Sequence, residues 1–94
     1  MRRTLPSTQA LACFDAAARH ESYTRAADEL ALTQSAVSRQ ILGLEAFLGV
    51  ALFRRTRHGV ALTPAGRSYA RQIGPRLQAL ERDTLDAMAH RGHG

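Results

Sequence analysis

SYTRAADELALTQSAVSRQILGLEAFLGVALFRRTRHGVALTPAG, residues 22–66, is the stretch that decides the fold. At its start Ser22 or Thr24 caps a short helix that places Tyr23, Ala26, Ala27 and Leu30 on one inward face and ends near Ala31. Only Ala31, Leu32 and Thr33 separate this pattern from the next helical one, so the two helices have no slack to lie side by side and must cross steeply. The small Ala26 and Ala27 let their backbones approach at the crossing. Thr33 caps the following helix, residues 34–48, and Gly49 stands where a left-handed terminating residue is favoured. That helix has two faces. Val37, Ile41, Leu44 and Leu48 recur as a core stripe, whereas Ser35, Ser38, Arg39 and Leu42 recur on another side that is short and polar apart from its leucine and a single arginine. A merely solvated face favours long charged side chains that support helix, and serines weaken it, so this side is shaped to fit against a ligand.

Downstream, the apolar runs 50–53 and 60–62 flank Arg54, Arg55, Thr56, Arg57, His58 and Gly59, which predicts a hairpin with a basic tip. Like charges crowded at a tip repel one another unless an anion meets them. Upstream, Ser7 caps a first helix over Thr8–His20, with Leu11, Phe14 and Ala18 on its inner side and Ala10 and Ala17 beside them. The last segment starts at Pro64 after Thr63, and Tyr69, Ile73, Leu77, Leu80, Thr84 and Met88 form one narrow stripe along a helix over residues 64–90. A rod of that length outruns what a small globule covers, and a second copy of the same helix is the simplest partner. Gly74 and Pro75 interrupt it, which predicts a kink or a break.

The chain has 94 residues, 13 basic and 8 acidic, for a net charge of +5, and every basic side chain other than histidine is an arginine. The excess is central: residues 34–76 hold Arg39, Arg54, Arg55, Arg57, Arg67, Arg71 and Arg76 against Glu45 alone. An acidic partner is implied. The longest uncharged stretch, residues 4–14, is too short and too polar to span a membrane. Arg2 and Arg3 before Cys13 do not make a secretion signal, since proline and glutamine interrupt the segment between them. With a single cysteine there is no internal disulfide, and the expected compartment is the cytoplasm, on the nucleoid. There are no paired carboxylates, no cysteine with a suitable histidine and no glycine-rich phosphate loop, so no catalytic residues, metal site or cofactor are expected in this fragment. His90 stands at the end of the last helix and His93 in residues 91–94, a frayed end or the start of a hinge.

Three helices, a basic hairpin and a long striped helix make a mainly α protein: a winged helix-turn-helix over residues 1–63 followed by a dimerisation helix over 64–90. Ser22 with Ala26, Ala27 and Leu30, TQSAVSRQI from Thr33, Leu44 with Glu45, LGVALFRR from Leu48, and Leu62, Thr63, Ala65 and Gly66 closely resemble the amino-terminal DNA-binding domain of LysR-type transcriptional regulators. FDAAARH from Phe14 resembles the branch that regulates glycine cleavage and β-lactamase induction. The resemblance implies that the helix from Gln34 enters the major groove of double-stranded DNA, with Gln34, Ser35, Ser38 and Arg39 at base-reading positions. It places Ser22, Thr24, Thr33 and Gln40 at the phosphate backbone, and Arg54, Arg55, Arg57 and His58 in a wing at the flanking minor groove. It also implies a homodimer on a partly palindromic operator; tetramers and contact with RNA polymerase are open to a full-length protein that carries a further inducer-binding domain. Glu21 where glycine is frequent, Gly43 where a cation often stands, and His58 at the wing tip depart from the pattern. The rival is a winged-helix module for protein contact, against which the absence of a large apolar or aromatic anchor among the serines and Arg39 argues.

Overall fold

The computed structural model describes residues 3–91. Its elements in order are α1 (Thr8–His20), α2 (Tyr23–Leu30), α3 (Gln34–Leu48), β1 (Phe53–Thr56), β2 (Gly59–Leu62) and α4 (Pro64–Ala89). Each helix opens on a hydroxyl that accepts from the backbone N–H three residues on: Ser7 from Ala10, Ser22 from Arg25 and Thr33 from Ala36, all at 3.1 Å, and Thr63 from Gly66 at 3.0 Å. Such a cap contributes about 1 kcal/mol and fixes where the chain turns into the helix. Ser22 rather than Thr24 is the cap of α2.

The ends are equally local in origin. Glu21, Ala31 and Gly49 close α1, α2 and α3 in the left-handed region, with φ of 48°, 56° and 78°. Only the last is a glycine, so Glu21 and Ala31 carry the steric cost of a Cβ there. Glu21→Gly is expected to raise stability by about 0.5–1 kcal/mol, visible as a higher urea midpoint at unchanged slope; a lower midpoint would show that the glutamate side chain compensates for its backbone.

Phe14, fully buried, is the centre of the core. Its ring meets Phe53 at 5.7 Å and Tyr69 at 5.4 Å, and Phe53 in turn meets Tyr23 edge-on at 5.4 Å. One aromatic chain therefore ties α4 to α1, the hairpin and α2. Ala16, Ala17, Ala26 and Ala27 are buried where the first helices cross, and Val37, Ile41 and Leu44 present α3 to the same core.

The hairpin is antiparallel, with Phe53 opposite Leu62, Arg54 opposite Ala61, Arg55 opposite Val60 and Thr56 opposite Gly59. The first strand thus begins three residues later than the apolar run starting at Val50 predicts and extends through Arg54 and Arg55. The Glu45 carboxylate accepts from the backbone N–H of Leu52 at 2.6 Å and of Phe53 at 3.2 Å, which ties the start of the strand to α3. Thr63 N–H still donates to the Leu52 carbonyl at 3.0 Å, so one bond of the ladder continues past Phe53, and the pairing stops where Thr63 turns the partner strand into α4.

The expected break in the last helix is also corrected: α4 runs continuously for 26 residues through Gly74 and Pro75. Pro75 has no N–H to donate to the Arg71 carbonyl four residues earlier, and the helix nevertheless continues past it. Arg76 folds back to donate to the Gln72 carbonyl at 2.6 Å. Gly74 faces α1, where a Cβ on it would make an ordinary contact, 3.4 Å, with an Asp15 carboxylate oxygen. From Leu80 onward every described residue of α4 is exposed.

Candidate nucleic-acid interface

Gln34, Ser35, Ser38 and Arg39 line one open hollow on the outer side of α3. Gln34, Ser35 and Arg39 are exposed and Ser38 is half-buried. Val37, Ile41 and Leu44 anchor the opposite side of the helix, so the four side chains are held by a rigid element rather than by a loop. Their chemistry is a guanidinium fork, an amide and two hydroxyls, the donor and acceptor set that reads base edges in a major groove. Leu42, at 61% exposure, continues the same stripe.

The residues assigned to the backbone divide. Thr33 and Ser22 stand at the N-termini of α3 and α2; each hydroxyl oxygen accepts from its own helix and keeps its proton for an outside acceptor. Thr24 donates to the Gln34 side-chain oxygen at 3.2 Å. Gln40 faces elsewhere, lining a hollow with Leu5, Pro6 and Phe47 near the start of α1 that only Arg39 shares with the first.

The basic hairpin is not one tip. Arg57 and His58 form the two-residue turn, whereas Arg54 and Arg55 lie within β1. Successive strand side chains alternate faces, so Arg55 shares the face of the buried Phe53 and Arg54 the other. Arg55 stands near enough to Tyr23 to act on its phenol, although burial and the Glu45 charge dominate and push that phenol up to about 12. Gly59, with φ of 147°, lets the turn close, and a Cβ there would meet the Glu21 carbonyl at 3.3 Å. The wing therefore leans on the turn between α1 and α2.

Among the described residues the ion pairs join Arg19 to Asp15 and Glu29, and His20 Nε2 lies within hydrogen-bond distance of the same Glu29. They hold the Glu29 carboxyl down at about 2. None of Arg39, Arg54, Arg55 and Arg57 takes part in them, so the cations of α3 and the hairpin have no acidic partner within the described residues. Glu45, the acid among these arginines, binds backbone instead. Sequence reading missed that role; its signal was a lone carboxylate in a strongly basic stretch.

On α4, Tyr69 is turned onto Phe14, and Leu77 lines a groove against Thr8, Ala12 and Asp15 of α1. Ile73 is half-buried, and Leu80 and Met88 are 53% and 47% exposed. Thr84 is exposed and donates to the Leu80 carbonyl at 2.7 Å. Leu85, 58% exposed, widens the apolar stripe beyond the residues that strict spacing picks out. No group of three or more potential metal ligands occurs among the described residues, and no described helix is long and apolar enough to cross a membrane. His93 and the rest of the expected frayed end after Arg91 lie outside the described residues.

Residues 8–67 match the bacterial regulatory helix-turn-helix proteins of the lysR family. The chain is 48% identical over 94 residues to the glycine cleavage system transcriptional activator of Escherichia coli (strain K12), a match that covers 100% of this chain and 31% of that protein. To the HTH-type transcriptional activator AmpR of Pseudomonas aeruginosa it is 58% identical over 59 residues, covering 63% of this chain and 20% of AmpR. The chain thus spans at most 31% of the length of these two relatives. Among solved structures it resembles the BenM_DBD/catB site 1 DNA complex, with a TM-score of 0.81 at 30% identity over 89% of this chain and 93% of that one. The CbnR_DBD–DNA complex gives 0.78 at 31% identity over 88% and 95%.

Proposed function

The chain belongs to the lysR family of bacterial regulatory helix-turn-helix proteins, and from that premise we propose that it grips double-stranded DNA sequence-specifically, as the operator-binding part of a longer transcriptional regulator. The observation that carries this is the hollow of Gln34, Ser35, Ser38 and Arg39 on a rigid helix, beside cations without acidic partners. In this mechanism α3 lies in the major groove, where Arg39 pairs with guanine and the serines serve either base of a pair. Ser22 and Thr33, whose hydroxyl protons are free, meet the phosphate backbone and fix the register, whereas Thr24 gives its proton to Gln34 and Gln40 lines the neighbouring hollow. Arg57 and His58 at the hairpin turn reach the flanking minor groove, with Arg54 and Arg55 behind them on opposite faces of the strand.

Residues 1–63 are the DNA-binding unit and 64–90 the dimerisation helix. Two copies pair along α4 through Ile73, Leu77, Leu80, Thr84 and Met88, and Tyr69 anchors that helix to its own domain. The pair places two α3 helices on half-sites of a partly palindromic operator, spaced by whole helical turns. No cofactor and no catalytic step enter this mechanism. It acts in the cytoplasm on chromosomal DNA, and tetramers and RNA polymerase contacts belong to the longer protein.

Selection from random duplex DNA at two salt concentrations tests the proposal, with sedimentation of the purified chain alongside. A dyad-symmetric enriched site and a dimer at micromolar concentration are expected. Retention of every duplex without enrichment, or capture of an acidic protein in preference to DNA, would overturn sequence-specific binding in favour of backbone or protein contact. The wing makes a separate prediction. Arg57→Ala is expected to weaken binding to enriched and random duplexes alike and to lower the salt slope by about one, the signature of one lost phosphate contact in equilibrium titrations.

A further inference from the structure

Thr24 is the second residue of α2 and Gln34 the first of α3, so they face each other across the turn between the two helices. The Thr24 hydroxyl donates to the Gln34 side-chain oxygen at 3.2 Å. Thr24 is not needed as a helix cap, because Ser22 performs that role. Its oxygen is left free to accept, but its single proton is engaged by the amide. We infer that Thr24 is a positioning residue for base readout: it turns the Gln34 oxygen toward α2 and presents the amide N–H donors to the groove. The inference rests on the DNA-binding function proposed above and deepens it.

A glutamine that reads adenine bidentately must aim both its oxygen and its nitrogen at one base edge. With the oxygen held against α2, Gln34 approaches the base through its nitrogen, which carries two hydrogens and no acceptor. The edges that match such a donor are those rich in acceptors in the major groove, guanine with O6 and N7 and thymine with O4. The clamp also removes rotamer freedom that an exposed glutamine would otherwise lose on binding. Ser35, Ser38 and Arg39 line the same hollow, so the held amide lies within the reading surface and not beside it.

The test is binding-site selection with the wild-type chain, Gln34→Ala, Thr24→Val, Thr24→Ser and the double variant Thr24→Val with Gln34→Ala. Gln34→Ala identifies the base pair that Gln34 reads, as the position at which enrichment is lost. That position is expected to be guanine or thymine in the wild-type selection. Thr24→Val, which keeps the shape and deletes the hydroxyl, is expected to lower preference there about tenfold, within the range of one good side-chain to base contact. Preferences elsewhere stay as they are, Thr24→Ser restores the wild-type pattern, and the double variant behaves as Gln34→Ala alone. Thermal melts of all variants, equal within error, are expected for an exposed pair.

Adenine enriched at the Gln34 position would overturn the orientation of the amide. Equal weakening on enriched and random duplexes by Thr24→Val would make Thr24 a phosphate contact only. Absence of any enrichment by the wild-type chain would instead remove the DNA reading on which both depend.

Discussion

Gly66→Ala is expected to destabilise the domain by about 3 kcal/mol or more, at the upper end of what overpacking a core costs. Gly66 is the buried residue of α4, and a Cβ on it would stand 2.0 Å from the Leu52 carbonyl oxygen and 2.9 Å from its carbon. Backbone cannot rotate away as the end of a side chain can. Leu52 is held besides: its N–H donates to Glu45 at 2.6 Å, and its carbonyl accepts from Thr63 N–H at 3.0 Å. Relief therefore requires α4 to move off the residue that joins α3 to the hairpin, loosening Tyr69 from Phe14 in the process. A loss of that size in a domain of this length lowers the melting temperature by about 10–25 °C. Gly43→Ala is the control. Nothing lies within 4 Å of a Cβ there, the residue is exposed within α3, and alanine is the better helix former. It is expected to stabilise by up to about 1 kcal/mol. Calorimetry on both variants would show one substitution with opposite signs, and equal effects at the two sites would refute the close approach at Leu52.

What was legible in the sequence was local. Ser7, Thr33 and Thr63 announce the helix starts because a cap acts three residues ahead, within one turn, and spacing left only Ser22 or Thr24 for α2. The two faces of α3 were legible because helical spacing separates Val37, Ile41 and Leu44 from Ser35, Ser38 and Arg39 without reference to anything else in the fold. The start of β1 was not legible, since it depends on where the partner strand gives way to the Thr63 cap, and the Glu45 carboxylate that holds the Leu52 N–H comes from another element. Continuity through Pro75 was hidden for the same kind of reason. Proline's local preference is against helix, whereas the contacts that hold α4 on α1 join distant parts of the chain. In the candidate site, spacing separated the polar face of α3 but not the bond between Thr24 and Gln34, which joins residues ten positions apart across a turn. Nor did composition separate Arg54 and Arg55 in the strand from Arg57 and His58 at the turn, because the division follows from where the ladder starts.

Arg39→Ala is expected to abolish most sequence preference while leaving the fold intact. Arg39 is exposed, takes no part in the ion pairs of the described residues, and lines the hollow with Gln34, Ser35 and Ser38. Truncation therefore removes no contact on which the core depends. A bidentate guanidinium on guanine contributes about 1–3 kcal/mol of discrimination, so the ratio of affinities for an enriched duplex and a scrambled one should fall about 5- to 150-fold. Affinity for the scrambled duplex should change much less, and the salt slope should stay close to that of the unmodified chain, because a base contact releases fewer counterions than a phosphate contact. Arg39→Lys separates charge from geometry. It keeps the cation but loses the planar fork with its two parallel donors, so it should hold scrambled DNA as well as arginine does and still discriminate poorly. Fluorescence anisotropy titrations of both duplexes at several salt concentrations measure all of these quantities together. Equal losses on enriched and scrambled duplexes for Arg39→Ala, with the salt slope lowered by about one, would move Arg39 from the bases to the phosphates and leave readout to Gln34 and the two serines.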